Sequence, residues 1–562
     1  MTTDDWTTMT GTPVAAPEPH GQLELTWSNK DMRLLDTLDG RYAWVPPTDW
    51  RVNEVRLLRD RDTYGEVAAP SKRAEDNLLI HGDALAALRA LTDLPEFKKR
   101  YRNRVKLAYI DPPFNTGQTF EHYDDALTHS IWLTMLRDRL DQIRKLLTPD
   151  GSVWVHLDDA ESHRARCVLD EVFGPSNFIA EVIWESSDSP RMDASHFSTR
   201  HNTIFVYAYD KSQFTVNRFP LDLDDLPSHY NKVAEDGTPY YLNPLRSRGN
   251  NDRREDRPNC YYGVEAPDGS LVYPVRPDGS DGCWRWHEPT FHQRNADGDV
   301  EWVDGRNGWN PYYRIYADHD GTPPETIWQH RDVGSTRTSK AEIKALFPKQ
   351  SPFDTPKPEA LLHRIVFLAS DEGDVVLDCF AGSGTTAAVA HKMGRRWVAV
   401  EREAATFENV TVPRLRKVVD GEDGGGVSKS EEWQGGGGFR TLEVAPSMFE
   451  ADGTNVWLAD WAVNGQLAEA TAAQLDYEYE PDGPFCGTKG RKRLAVIDGL
   501  VNRAILEVLA DSLPDGQAME VAGTAVVADA RQIARSLAKG SSVRKVPSSI
   551  LSTWRRTEGI GR

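Results

Sequence analysis

Residues Leu107–Gly117, with the sequence LAYIDPPFNTG, decide the fold of this chain. The apolar run from Leu107 to Ile110 predicts a buried parallel strand that ends at Asp111. Two prolines follow, and each lacks an N–H donor and has a fixed φ, so the strand cannot continue through them. Asp111 is therefore expected at the carboxyl end of a strand, where open α/β sheets bind their ligands. Taken alone, Asp-Pro-Pro could equally form an ordinary turn.

A second stretch, Val375–Thr386 (VVLDCFAGSGTT), repeats the pattern of an apolar strand that ends in an acid, here Asp378. A loop of small residues follows and opens a predicted helix, and its glycines allow the backbone to approach a ligand closely. The next strand ends at Glu401, 19 positions beyond Gly382, which is the spacing of an acid that binds ribose hydroxyls. No Gly-Lys-Ser/Thr follows the loop, so a P-loop is excluded. The combination predicts a site for a nucleoside-containing ligand.

The motif DPPF, followed downstream by FAGSGTT, resembles the amino-methyltransferases that use S-adenosyl-L-methionine to methylate exocyclic nitrogens in DNA. The catalytic motif precedes the cofactor loop, which is the order of the permuted β group, and within that group the chain resembles the Mod subunits of type III restriction–modification systems. Three further segments agree: Asn77–Asp83 (NLLIHGD), Phe353–Leu362 (FDTPKPEALL) and Gly435–Phe439 (GGGGF). The resemblance spans roughly residues 75–440. It implies an α/β fold with a Rossmann-like, doubly wound, mostly parallel sheet.

The resemblance also implies roles for individual residues. Asp83 would contact the adenine of the cofactor, although an acid before a helix could instead, or in addition, cap that helix. Lys357 would lie beside the methionine part of the cofactor, and its alternative is a solvated lysine. The implied catalytic residues are Asp111, Pro112, Pro113 and Phe114. The implied cofactor residues are Asp83, Lys357, Asp378, Phe380, Gly382, Ser383, Gly384, Thr385 and Glu401, and no metal ion is implied.

The expected reaction follows from the chemistry of an exocyclic amine. Adenine N6 is a poor nucleophile because its lone pair is delocalised into the ring. Hydrogen bonds to the Asp111 carboxylate and the Pro112 carbonyl would favour a pyramidal nitrogen that attacks the sulfonium methyl directly. The base must leave the stack to reach the site, and Phe114 would stack on it.

Several alternatives to adenine methylation remain open. Cytosine-N4 methylation, which uses the same geometry, is the first alternative. In the family that the chain resembles, Asp-Pro-Pro indicates adenine as the target and Ser-Pro-Pro indicates cytosine. Methylation of RNA or of a protein glutamine is more distant, because those relatives carry Asn-Pro-Pro after the cofactor loop. A catalytically silent DNA-recognition subunit is the alternative from another functional class.

The chain has 562 residues, too many for one ordinary core. Regular alternation of strands and helices stops at about residue 210 and resumes after about 325. The expected parts are 1–70, an N-terminal extension that is partly disordered over 1–22; 71–210, the catalytic part; 211–330, an inserted target-recognition region; 331–420, the cofactor-binding part; 421–438, a flexible glycine-rich linker; and 439–562, a smaller C-terminal α/β domain.

Arginines in the inserted region lie among aromatic residues, a mixture that suits phosphate contact, guanine-edge readout and base stacking. The region occupies the place where this family carries its target-recognition residues, so contact with double-stranded DNA is expected. Interspersed acids leave a solvated loop as the alternative. The candidate arginines are Arg246, Arg248, Arg253, Arg254 and Arg257.

The net charge of −20 means that a DNA site must be a local basic surface on an acidic body. Residues 485–562 carry 13 Lys and Arg against seven Asp and Glu, which favours a nucleic acid or an acidic partner, although a basic tail could also be merely solvated. The resemblance implies a homodimer and a possible restriction (helicase–nuclease) subunit as partners.

Composition predicts a cytoplasmic enzyme with no membrane partner. Hydrophobic residues make up 39% of the chain and charged residues 27%. No apolar run reaches the roughly 18 residues of a membrane span, and the start has neither a basic nor an apolar signal-peptide region. The five cysteines are scattered without a CxxC pair, which favours reduced thiols and argues against structural zinc.

Overall fold

A computed structural model describes most of the chain. The described residues are 24–36, 42–114, 125–192, 194–220, 226, 228–305, 308–317, 321–349, 353, 355–452 and 455–554. The predicted disorder of residues 1–22, and the end of the LAYIDPPFNTG stretch beyond Phe114, lie outside them. These residues form two compact units, Arg218–Pro324 and the remainder of the chain.

A ten-stranded sheet forms the larger unit. Its strands are, in chain order, β1 (Leu58–Gly65), β2 (Asn77–His81), β3 (Val105–Ile110), β4 (Leu147–Leu157), β5 (Phe178–Trp184), β6 (Asn202–Ala208), β7 (Ile327–Trp328), β8 (Val375–Asp378), β9 (Arg396–Glu401) and β10 (Gly438–Val444). The order across the sheet is β7-β5-β6-β4-β3-β8-β9-β2-β10-β1. Among these strands β6 and β1 oppose the direction of the other eight. The predicted mostly parallel sheet is confirmed.

Two groups of helices cover this sheet. Helices α1 (Ala84–Asp93), α2 (Asp125–Leu146) and α3 (Ser162–Phe173) contact one another in sequence. Helix α4 (Thr336–Leu346) precedes a second group, α5 (Glu359–Ala369), α6 (Thr385–Lys392) and α7 (Val412–Val419), whose members also contact one another. The chain advances in one direction along the sheet through α1 and α2 and in the other through α6. Since such crossovers are right-handed, the two groups lie on opposite faces, and the sheet is doubly wound.

The direction of winding reverses between β3 and β8, which are parallel neighbours. From β3 the chain passes through α2 to β4 on one side, whereas from β8 it passes through α6 to β9 on the other side. Loops that leave neighbouring strands in opposite directions open a crevice at the carboxyl edge of the sheet. Asp111 immediately follows β3, and Asp378 is the last residue of β8, so both predicted acids reach this crevice.

Three strands of the sheet lie outside the parts to which the sequence assigned the catalytic fold. Strand β1 belongs to the expected N-terminal extension, β7 to the expected target-recognition region, and β10 crosses the expected boundary at residue 439. Strand β1, LRDRDTYG, is an edge strand with mostly exposed polar side chains, so it lacks an apolar pattern. Strand β7 has only two residues. The predicted boundaries therefore move to about 57, 325 and 445.

The expected flexible linker is a packed segment. Asp423 is 2% exposed, and its carboxylate pairs with the Lys392 ammonium at 2.7 Å. The Gly436 amide donates to the Val419 carbonyl at 2.8 Å. Glycine composition predicted flexibility, but here the missing Cβ permits close approach: a Cβ on Gly426 would lie 2.0 Å from Glu359 Oε2.

The C-terminal residues contain a second α/β layer, as predicted. Its five-stranded sheet comprises, in spatial order, Glu478–Asp482, Phe485–Lys489, Lys492–Val501, Ala518–Val526 and Ser542–Lys545. Helices Arg503–Asp511 and Ala530–Leu537 complete its own apolar core. The layer is not a separate unit, however, because buried Ala522 of strand Ala518–Val526 and Val546 after the last strand join the same apolar core as strands β2–β4.

The smaller unit, Arg218–Pro324, has its own sheet and core. Strands Val300–Gly305, Gly308–Tyr316, Pro239–Pro244 and Lys232–Val233 form an antiparallel sheet in that order. The core contains Leu245, Val264, Trp284, Phe291 and Tyr313. No helix in the described part of the chain is both long enough and apolar enough to span a bilayer.

Candidate active site

A cavity of about 370 Å³ occupies the crevice at the point where the winding reverses. Twelve of the thirteen catalytic and cofactor residues named from the sequence line it; Gly384, which directly precedes α6, does not. The lining residues are Asp83, Asp111, Pro112, Pro113, Phe114, Lys357, Asp378, Phe380, Gly382, Ser383, Thr385 and Glu401. Residues up to 318 positions apart in the sequence therefore meet at one edge of the sheet.

Asp111 has one engaged and one unengaged carboxylate oxygen. Its Oδ2 accepts a hydrogen bond from the Lys357 ammonium, 246 positions away, and the two groups form an ion pair. Its Oδ1 is buried and has no hydrogen-bond partner among the described residues. Burial raises the pKa of Asp111, and Lys357 partly opposes that rise. The geometry leaves a buried acceptor for a ligand, because an unsatisfied buried oxygen is costly.

Aromatic residues surround the rest of the DPPF motif. The Trp132 indole donates a hydrogen bond to the Pro113 carbonyl at 2.6 Å, which fixes the path of the diproline loop. The Phe114 ring lies 6.1 Å from the His156 ring, and the Lys357 ammonium is 5.2 Å from the Phe114 centroid. Burial, with a smaller effect of Lys357, holds the pKa of His156 well below its usual value, so this histidine is a neutral packing partner of Phe114.

Asp378 shapes the glycine loop. Its Oδ1 accepts from the Phe380 amide at 2.9 Å, and its Oδ2 accepts from the Thr386 hydroxyl at 2.6 Å. Burial raises the pKa of this carboxyl to about 7. Gly382 and Gly384 have φ of +50° and +75°, a left-handed conformation that strongly favours glycine. Asp378 therefore contributes to the cavity by folding its loop.

The hydroxyls of Ser383 and Thr385 point to a buried arginine that the sequence analysis did not identify. Arg414 donates to Thr385 Oγ1 at 2.7 Å, and the two hydroxyl oxygens lie 3.0 Å apart. Arg414 also pairs with Glu359 at 2.8 Å. Arg414 lies on the apolar face of α7, between Thr411 and Val418. This position in an apolar pattern was the sequence signal for a buried arginine, which requires partners.

Glu401, the last residue of the neighbouring strand β9, accepts hydrogen bonds from backbone amides, including one of the glycine loop. Its Oε2 accepts from the Gly382 amide at 2.8 Å and its Oε1 from the Glu403 amide at 2.7 Å. Burial raises the pKa of this carboxyl, while these amides act in the opposite direction. A carboxylate has about four acceptor positions, so both oxygens can also accept from ligand hydroxyls.

Asp83 combines a capping role with a place in the cavity wall. Its Oδ1 accepts from the Ala86 amide at 3.1 Å, which caps α1, and its Oδ2 accepts from Arg139 at 2.6 Å. Burial acts to raise the pKa of Asp83, but Arg139 and the capping amides outweigh it, so the pKa is lowered. Arg139 also lies 5.8 Å from the Phe380 ring centroid. Arg139 lies within the apolar stripe of α2, three positions after Leu136. That position was the sequence signal that could have identified Arg139 as a buried partner of an acid.

The five candidate DNA arginines of the smaller unit differ in their surroundings. Arg246 pairs with Asp252 at 3.4 Å, and Arg257 donates to the Arg285 carbonyl at 3.1 Å. Arg254 pairs with Asp281 at 3.0 Å and lies 4.1 Å from the Tyr261 ring centroid. Arg248 and Arg253 are exposed, and their guanidinium groups have no ion-pair partner within the described residues. These two are the best placed for phosphate contact.

Comparison with known proteins yields a family and several relatives. The model of the DNA methylase family N6_N4_Mtase matches residues 105–411. The chain is 30% identical to the probable type III restriction-modification enzyme HindVI Mod subunit of Haemophilus influenzae, over 66% of this chain and 54% of that protein. It is 32% identical to the StyLTI Mod subunit of Salmonella typhimurium, over 55% of this chain and 49% of that protein.

Among solved structures, the PvuII DNA methyltransferase (cytosine-N4-specific) aligns with 61% of this chain and 87% of its own, at 13% identity and a TM-score of 0.33. The chain spans about half the length of the curated Mod relatives it matches. The family model covers more than half of the chain, including β3, the DPPF motif, β8, the glycine loop and Glu401. The chain therefore belongs to the N6_N4 DNA methylase family.

Proposed function

We propose that this protein is a site-specific methyltransferase that transfers a methyl group from S-adenosyl-L-methionine to adenine N6 in duplex DNA. The observation that carries the proposal is the carboxylate of Asp111. It is buried at the switch point of the sheet, one oxygen pairs with Lys357, and the other has no partner in the described part of the chain. An amine with two N–H donors is the kind of group that such an acceptor binds.

The cavity has the features that the cofactor requires. Glu401 offers acceptors for ribose hydroxyls, and Gly382 lets the backbone approach closely. Phe380 offers an apolar face, with Asp83 and Arg139 at its side. S-adenosyl-L-methionine would supply an electrophilic methyl group on a sulfonium. The cavity of about 370 Å³ has the size of a small-molecule site.

The residues of the DPPF motif would bind and orient the base. Asp111 Oδ1 and the Pro112 carbonyl would accept the two hydrogens of the amine, which favours a pyramidal nitrogen with an available lone pair. Phe114 would stack on the base, as aromatic residues do in enzymes that act on extruded bases. Trp132 holds the diproline loop, so the acceptors need not reorganise during the reaction.

Base extrusion is part of this proposal. Asp111 lies within a cavity of about 370 Å³ at the carboxyl edge of the sheet, and the amine of a base that stays stacked in a duplex would not reach it. Extrusion costs a few kcal/mol. Fluorescence of 2-aminopurine at the target position should rise on binding, and an unchanged signal in a complex that methylates DNA would contradict extrusion.

The test of the function compares Asp111→Ala with a matched acid at the same sheet edge. Asp158 follows β4 and does not line the cavity. Incubation with DNA and labelled S-adenosyl-L-methionine, followed by mass spectrometry of nucleosides, should give N6-methyladenine for the wild type and Asp158→Ala. Asp111→Ala should lose methylation by a factor of about 10² or more and keep cofactor binding. N4-methylcytosine as the product would establish the alternative base, and no product from either base would contradict the proposed activity.

The proposed assembly is a homodimer that acts in the cytoplasm within a restriction–modification system. The Mod names of the relatives support a modification role and a restriction subunit as a possible partner. A second copy would add phosphate contacts to a chain whose net charge is −20. Light scattering that gives one chain per particle, both free and on DNA, would contradict the dimer.

A further inference from the structure

A second cavity, of about 660 Å³, lies at the opposite edge of the ten-stranded sheet. Asn103 precedes β3, Lys145 precedes β4, and Tyr209 follows the antiparallel strand β6, so all three mark the amino ends of the parallel strands. The proposed methylation site lies at the carboxyl ends. The lining residues are Arg33, Pro47, Asn53, Leu85, Arg89, Arg102, Asn103, Asp138, Asp141, Gln142, Arg144, Lys145 and Tyr209.

The charge of this cavity is positive although the chain is acidic. Five of the lining side chains are cationic, Arg33, Arg89, Arg102, Arg144 and Lys145, and two are acidic, Asp138 and Asp141. Asp138 is already paired, with Arg33 at 3.2 Å and with Arg137 at 2.8 Å. Within the described residues Arg89, Arg102 and Arg144 form no ion pair. Positive charge therefore remains uncompensated in a concave site.

The backbone that carries these cationic side chains is held in place by the fold. The Asn103 amide donates to the Lys145 carbonyl at 3.1 Å, and the Arg104 amide donates to the Leu146 carbonyl at 2.8 Å. These bonds fix the loop that carries Arg102 against the end of α2. Arg89 has a buried Nε without a hydrogen-bond partner among the described residues. Such a donor is costly unless a ligand satisfies it.

The ionisation of the cluster agrees with this geometry. Burial lowers the pKa of the Arg89 guanidinium. Burial also lowers the pKa of Lys145. Repulsion from Arg89 and Arg102 lowers this pKa further, whereas Asp93 and Asp141 act to raise it. A bound anion would relieve the repulsion among these side chains.

We propose that this cavity binds a phosphate-bearing ligand. Arginine presents planar, forked donors that match phosphate oxygens in a bidentate manner, and three of the uncompensated cations are arginines. The volume of about 660 Å³ is large enough for more than one phosphate group. The ligand is either backbone phosphate of bound DNA or a free di- or triphosphate, since both present the same oxygens. The inference is independent of the chemistry proposed for Asp111.

Inorganic pyrophosphate is the probe for the site. Calorimetric titration in 0.15 M NaCl should detect binding to the wild type and to Asp111→Ala alike. Arg102 and Arg144 are exposed, so the double variant Arg102→Ala/Arg144→Ala should keep the fold and bind pyrophosphate at least about tenfold more weakly. Arg416→Ala/Arg503→Ala, which removes two exposed arginines elsewhere, is the matched control and should bind normally. If circular dichroism shows that the double variant does not fold, each single variant must weaken binding.

Two further measurements identify the source of the phosphate. Weaker duplex binding by the Arg102/Arg144 double variant, with a reduced dependence on salt, identifies DNA backbone. If the double variant binds duplex DNA as the wild type does, and the wild type binds ATP more tightly than pyrophosphate, the ligand is a free triphosphate. The proposal is overturned if the wild type binds no pyrophosphate, or if the double variant and the matched control bind it equally.

Discussion

At the scale of single residues, the contact between Lys357 and Asp111 is the one that changes the expected chemistry. The sequence placed Lys357 beside the methionine part of the cofactor, and the structure pairs its ammonium with Asp111, the proposed catalytic carboxylate. An ionised Asp111 accepts a hydrogen bond from an amine more strongly than the protonated acid does, because both of its oxygens are then charged acceptors. Burial favours the protonated acid, and the lysine opposes it. We therefore propose that Lys357 is a positioning residue that helps keep Asp111 charged.

We expect the Lys357→Met variant to shift the acid limb of the pH profile. The raised pKa of Asp111 means that activity is lost, as pH falls, at a pH above the usual carboxyl value of 3.8. Removing the nearby positive charge raises that pKa further, so the acid limb of kcat/KM should move to higher pH. Lys340→Met, on the exposed side of α4, is the control and should leave the profile unchanged. An unmoved limb in the Lys357 variant would contradict the coupling.

Glu401 is expected to be required for cofactor binding. Its oxygens hold the amides of Gly382 and Glu403, and the same oxygens are proposed to accept ribose hydroxyls. Glu401→Ala should weaken S-adenosyl-L-methionine binding by about tenfold or more, the effect of losing a charge-assisted hydrogen bond. Calorimetry measures the change, with Glu408→Gln on the exposed surface as the control. Wild-type affinity in Glu401→Ala would refute the assignment.

At the scale of elements, a buried ion cluster joins the helices behind the glycine loop. Glu359 on α5 pairs with Lys392 on α6 and with Arg414 on α7, and Lys392 also pairs with Asp423 of the glycine-rich segment. These four side chains are at most 2% exposed. Since an unpaired buried charge is costly, the cluster fixes the three helices and the segment relative to one another.

The glycine-rich segment offers a matched pair of variants that tests this packing. A Cβ on Gly426, at φ +52°, would lie 2.0 Å from Glu359 Oε2, whereas a Cβ on Gly424 would meet no atom within 4 Å. Gly426→Ala should lower the free energy of unfolding by about 3 kcal/mol, because it displaces a buried charge. Gly424→Ala should change it by less than about 0.5 kcal/mol. Urea denaturation compares the two, and equal effects would favour the flexible linker that composition predicted.

At the scale of the whole molecule, the chain divides its chemistry between two compact units. The larger unit holds the proposed methyl-transfer site, and Arg218–Pro324 holds the candidate DNA arginines on its own sheet and core. Three of these arginines are engaged within the unit, while Arg248 and Arg253 are exposed. Sequence specificity is expected from this unit, since contacts to base edges require side chains that are free to reach them.

The double variant Arg248→Ala/Arg253→Ala should weaken duplex binding. If both arginines contact phosphates, the slope of log affinity against log salt should become shallower by about two units. Fluorescence anisotropy at several salt concentrations measures it. Arg294→Ala, which removes an exposed arginine paired with Asp299 in the same unit, is the control. A slope like that of the wild type would remove these two arginines from the interface.

The sequence by itself determined the elements that carry the candidate site. Apolar runs that stop at Asp111 and Asp378 predicted strands with acids at one sheet edge, and the 19-position spacing from Gly382 to Glu401 predicted the neighbouring strand. These predictions succeeded because each depends on local chemistry: the apolar run of a buried strand, the missing donor of proline and the conformational range of glycine.

Only the tertiary structure decided which side chains pair across the fold. The Lys357–Asp111 contact joins residues 246 positions apart, and Arg139–Asp83 and Arg414–Glu359 likewise depend on the packing of separate elements. The structure also decided that β1, β7 and β10 complete the sheet and that the glycine-rich segment is packed. An ion pair depends on two positions in space, and a polar edge strand has no apolar pattern, so neither leaves a local signature in the sequence.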